Sequence, residues 1–108
     1  MATRLDELLT GDRDEEFDLA ELLGLAHAPL SDFVAPLIAL GPQSIDVRFR
    51  FGDPPMAIPV SRGALDAKAL TRWYDIQEPP GGGAFVFDVT LPNARLRNLR
   101  LDTSRIDF

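Results

Sequence analysis

From Ser44 to Phe51 apolar and polar residues alternate without a break, with Ile45, Val47, Phe49 and Phe51 on one side and Asp46, Arg48 and Arg50 on the other. A period of two predicts a half-buried β-strand. Gly52-Asp53-Pro54-Pro55 then turns the chain, and Met56 to Val60 reads as a returning strand. Pro59 cannot donate to a ladder, so it places that strand at a sheet edge or at an irregular end. The same alternation returns from Ala84 to Leu91, with Phe85, Phe87, Val89 and Leu91 facing one way. Pro92-Asn93 signals a turn, and Ala94 to Leu101 makes a fourth strand.

Elsewhere the spacing is helical. Thr3 can cap a short helix that carries Leu5, Leu8 and Leu9 and ends at Gly11. A second helix is expected to start near Asp14, where Glu15 and Glu16 suit the positive end of its dipole, and to run to Pro29. Ser31 can cap a further turn with Phe33, Val34, Leu37 and Ile38, shortened by Pro36. Between the hairpins, Leu65, Ala69 and Trp73 form one stripe, with Leu70 and Tyr74 beside it. At that spacing the Trp73-Tyr74 pair reads as core rather than as a pocket lining. The expected fold is therefore α+β: N-terminal helices, then two β-hairpins separated by a helix. Together the hairpins would form a four-stranded, mostly antiparallel sheet with the helices on one face.

At 108 residues the chain fits a single domain, 1–108. It has no cysteine, which favours a reducing compartment and removes thiol chemistry and Cys-based zinc sites. The start carries no apolar leader, and the apolar stretch 19–40 is broken by Glu21, Asp32, Pro29 and Pro36. A cytoplasmic location without a membrane span is the expectation.

Charge is unevenly placed. Residues 1–21 hold eight acids against Arg4 and Arg13, and so carry the whole net charge of −6. Asp12, Asp14, Glu15, Glu16 and Asp18 concentrate it. The remaining chain is balanced, with a local excess of base at Arg95, Arg97, Arg100 and Arg105. Ten of the eleven basic residues are arginine. A GC-rich, bacterial-like genome accounts for that bias; selection for bidentate pairing with carboxylate or phosphate is the sharper alternative. If strands one and four share a polar face, Arg48 and Arg50 lie near some of Arg95, Arg97 and Arg100.

No motif carries catalysis. His27 is the only histidine, and no serine sits in a nucleophile-elbow context. Counted from Asp12, a calcium loop would need Gly and Glu where the chain has Phe17 and Leu23. Gly81-Gly82-Gly83 leads into a strand, not a helix, so it reads as a flexible connector rather than a phosphate loop. Asp46 and Asp88 lie on polar strand faces with nothing in the sequence to bury them. Leu91, Leu96, Leu101 and Ile106 recur every five residues, but the spacing stops upstream, and a strand followed by a tail accounts for it better than a solenoid coil does.

No catalytic, metal or cofactor residue is therefore expected. The leading reading is a small acidic, non-enzymatic protein-interaction domain: an immunity-type inhibitor, an adaptor or a small assembly subunit. Its candidate partner-binding residues are Asp12, Asp14, Glu15, Glu16 and Asp18 on the acidic segment, and Arg48, Arg50, Arg95, Arg97 and Arg100 on the sheet. Nucleic acid is disfavoured by the acidic balance. A homo-oligomeric structural subunit, with the acidic segment docked on a neighbour's arginines, and a small-molecule binder or enzyme with an unrecognised pocket are the alternatives.

Overall fold

The computed structural model describes residues 16–63, 65–77 and 81–107. Within them the order is β1 (Phe17–Asp18), α1 (Leu19–Leu23), β2 (Ala28–Pro29), α2 (Leu30–Ala39), β3 (Ser44–Phe51), β4 (Met56–Ser61), α3 (Ala67–Gln77), β5 (Ala84–Thr90), β6 (Arg95–Asp102) and β7 (Ile106–Asp107). A 3₁₀ turn, Thr103–Arg105, joins β6 to β7. The fold is α+β, but the expected four-stranded antiparallel sheet and N-terminal helical block are corrected. The main sheet has five strands in the order β1-β6-β5-β3-β4, and it is mixed, because β1 runs parallel to β6 while the other pairs are antiparallel. A second sheet pairs β2 with β7 in parallel.

The physical reason for the correction lies at Asp18. Its backbone is extended and its carboxylate accepts from the N–H groups of Ala20 and Glu21, so it is the N-cap of α1 rather than a first-turn residue. The chain before a cap is extended, which lets Phe17 and Asp18 pair with Leu99 and Arg100. Gly24, at φ +71°, closes α1 after five residues by returning its N–H to the carbonyls of Ala20 and Glu21. The helix therefore ends well before Pro29, which belongs to β2 and precedes the first residue of α2. Pro36 is accommodated inside α2. The helix expected between Thr3 and Gly11 lies outside the described residues.

The alternation of β3 and β5 turns their predicted apolar side inward, and β6 adds its own apolar residues. Ile45, Val47, Phe49, Phe85, Phe87, Val89, Leu96, Leu99 and Leu101 are buried, and they form one cluster with Leu19, Phe33, Val34, Leu37 and Leu70 from the helices. Trp73 and Tyr74 pack on Phe49 and Phe85, with ring centroids 5.1–6.3 Å apart. The five-residue spacing at the C-terminus has a specific cause. Residues five apart on a regular strand point to opposite faces. Between the Phe87–Leu99 and Val89–Leu96 pairs, β6 carries one extra residue, and Asn98 takes up the bulge at φ +58°. The phase shift keeps Leu96 and Leu101 on the same, inward side. The 3₁₀ turn then returns Ile106 to the core.

Close approach, not flexibility, explains the last glycine of the Gly81-Gly82-Gly83 connector. A Cβ on Gly83 would lie 2.3 Å from the Arg50 carbonyl oxygen and 2.8 Å from the Phe49 ring. The Thr103 N–H donates to the Gly83 carbonyl at 2.9 Å, which anchors the loop to the end of β6.

Candidate functional site

Residues paired across neighbouring strands share a face. Asp46 lies opposite Asp88, Arg48 opposite Val86 and Arg50 opposite Ala84, and β6 adds Arg100 and Asp102 alongside. The outer face of the sheet is therefore a charged layer laid over two small apolar residues. Val86 is only 4 % exposed on this face. Arg48 and Arg100 flank it on the neighbouring strands, and the Nε atoms of both are buried.

These arginines are engaged from within the chain. Arg48 donates to Asn98 Oδ1 at 3.2 Å and pairs with Asp88 Oδ2 at 3.2 Å. Asp88 also accepts the Asn98 N–H at 2.9 Å, so the same carboxylate holds the bulge and the arginine. Arg50 forks onto Glu16, with Nη1 on Oε2 and Nη2 on Oε1. Arg100 adds a third donor to Glu16 Oε1 at 2.9 Å and lies 3.8 Å from Asp18 Oδ2 and 3.7 Å from Asp102 Oδ1. The hydrogen bonds from Arg50, with the charges of both arginines, outweigh partial burial and hold the Glu16 carboxyl below the usual glutamate range. The same contact raises the Arg50 guanidinium.

The two charged surfaces anticipated from the sequence thus meet inside one chain, at Glu16. Asp18 is mainly a helix cap. Asp12, Asp14 and Glu15 lie outside the described residues. Arg95 and Arg97 are exposed on the outer face of β6, at the end away from the Glu16 contact. Beside Arg50 and Arg100, a cleft of about 380 Å³ is walled by Gly81–Gly83, Thr103 and Ser104, and Glu16 is bound to both of its arginines. His27 is exposed in the bend after α1. Among the described residues no group of three or more potential metal-ligating side chains comes together, and no helix is long and apolar enough to cross a membrane.

A different surface stands out at the other side of the sheet. β4 is an edge strand and is solvent-exposed over Met56–Pro59. Met56 pairs with Phe51 and Ile58 with Phe49, so both point to the helix-covered face, yet they remain 61 % and 36 % exposed. Ala57 and Pro59 point to the outer face, opposite Arg50 and Arg48. There a second cleft, of about 360 Å³, lies between Asp46, Arg48, Ala57, Pro59, Arg62 and Asp88. Asp46 accepts the Gly63 N–H at 3.0 Å. Sequence reasoning located this edge through Pro59 but attached no function to Met56 or Ile58. The usable signal was an apolar pair two residues apart on a strand whose proline bars it from the sheet interior. The chain matches no protein-family model, no curated protein and no solved structure.

Proposed function

We propose that the protein is a non-enzymatic protein-interaction domain that takes an extended segment of a partner along β4. The observation that carries this reading is the edge itself: among the described residues no further strand pairs with β4 beyond β3, and the strand carries the exposed apolar side chains of Met56 and Ile58. Unpaired edges template strand addition, in which backbone hydrogen bonds supply affinity and alternate side chains supply specificity. The other border is occupied at its end by β1, whose neighbour Glu16 ties it to Arg50 and Arg100. Those arginines would have to release an internal carboxylate before engaging a partner's, which makes them a poorer first contact than the apolar edge.

Partner capture at moderate salt with nuclease present tests the reading. The parent protein retains one stoichiometric protein. Ile58→Lys, which places a charge on the edge, loses it, and Arg95→Glu, on the far side of the outer face, keeps it. Capture that survives Ile58→Lys but fails with Arg95→Glu transfers the function to the arginine face. A lone monomer from every preparation defeats the interaction reading.

A further inference from the structure

We infer that the segment accepted at β4 alternates apolar and basic side chains, the apolar ones over Met56 and Ile58 and the basic ones reaching across Ala57 and Pro59 to Asp46. The inference rests on the strand-addition reading and specifies its partner. A strand added at about 4.8 Å from β4 presents its side chains alternately to the two faces of the sheet. On the helix-covered face they meet Met56 and Ile58. On the outer face they meet Ala57 and Pro59, the low side chains that floor the cleft. A long side chain crosses this floor where a bulky residue would block it.

Beyond the floor the acceptor chemistry is uneven. Asp88 is engaged by Arg48 and the Asn98 N–H. Asp46 is exposed, fixed at Oδ1 by the Gly63 N–H, and among the described residues forms no ion pair. It is the carboxylate left to accept a cation. Arg48 and Arg62 are the opposing charges at the same cleft. The Arg48 guanidinium is turned to Asp88 and Asn98, and Arg62 is exposed, its long side chain free to swing into solvent, whereas Asp46 is short and held. At longer range the chain's net charge of −6 attracts a basic segment, and it repels both an acidic one and a second copy of itself. Pro59, with no N–H to give, limits the ladder at this edge and so works against indiscriminate sheet growth.

Short synthetic peptides that alternate valine with arginine, threonine or glutamate test the inference on the full chain, read by amide chemical shifts and anisotropy. The valine–arginine peptide is expected to shift resonances of Met56–Ser61 and Asp46, and to bind about fivefold more tightly than valine–threonine. Asp46→Asn, which preserves an acceptor for Gly63, removes that advantage and leaves the valine–threonine affinity unchanged. Asp32→Asn, the same charge change on α2, leaves the advantage in place. Equal binding of all three peptides along β4, or an advantage insensitive to Asp46→Asn, overturns the inference while strand addition stands. If no peptide moves β4 resonances, both fall. A homodimer built on β4 in place of peptide binding also overturns the inference.

Discussion

The two borders of the main sheet solve the same problem in opposite ways. At one border β6 is partly covered by two residues of β1, and Glu16, immediately upstream, is fastened by three guanidinium hydrogen bonds. Phe17 packs against the buried core there. At the other border β4 is, among the described residues, the last strand of the sheet, exposed over Met56–Pro59 with two apolar side chains only partly covered. One border joins apolar burial to a paired charge cluster, so its interactions serve the fold. The other leaves Met56 and Ile58 exposed to water, and it is the border on which the proposed strand addition rests. Of the charge that is conspicuous in the sequence, Glu16, Arg48, Arg50 and Arg100 are engaged in contacts within the chain.

The largest expected contrast comes from truncating one apolar residue at each border. Leu99 is fully buried and pairs with both Phe17 and Phe87. Leu99→Ala therefore costs the removed contacts plus a residual cavity, about 2–5 kcal/mol. Ile58→Ala removes a side chain that is already partly wet and leaves no enclosed void, so its cost stays under about 1 kcal/mol. Chemical denaturation of the two variants side by side measures the difference. Equal losses would mean that the β4 border is as deeply buried in solution as the β6 border.

What the sequence made legible follows from where the information sits. β3, β5 and α3 announce themselves through a repeated period, because one buried face imposes it on every second or on every third to fourth residue. β1, β2 and β7 have two residues each, too few for any period, and their pairing is decided by tertiary contacts. The Asn98 bulge was visible as the five-residue spacing of Leu96 and Leu101, but reading it required knowing that a strand had slipped phase. The arginine face was legible as a face. Its occupant was not, because Glu16 is 34 residues from Arg50 and 84 from Arg100 along the chain. The glutamate itself sat in an acidic run that read equally well as a dipole-matched helix start.

A smaller effect is expected from releasing the Glu16 contact. Glu16→Gln keeps the shape and removes the charge. With the carboxylate about a third exposed, solvent screening limits the loss to under ~1 kcal/mol near neutral pH. The sign with pH is fixed by the downward shift of the Glu16 carboxyl. The stabilisation is fully present above the ordinary value near 4.5, and it disappears as pH falls through the lower value held in the fold. Parent and variant should therefore differ in stability at neutral pH and converge in acid below the usual glutamate range. Added salt should narrow the neutral gap. A gap that persists unchanged in acid would assign the loss to packing of β1 rather than to the ion pair.

The smallest effect is expected at Met56, and its smallness is informative. With 61 % of its surface in water, the side chain gains little further hydration when the chain unfolds. Met56→Thr, which retains strand propensity, should leave the stability of dilute protein within about ±0.5 kcal/mol of the parent. Thermal unfolding across a wide range of protein concentrations checks this. If the loss is larger and grows with concentration, β4 is buried against another copy, and the open border is an interface between protomers. If the loss is larger at every concentration, Met56 is covered within the chain, and the contrast between the two borders collapses. A stability that stays level while β4 loses its capture of a partner separates recognition from folding at this edge.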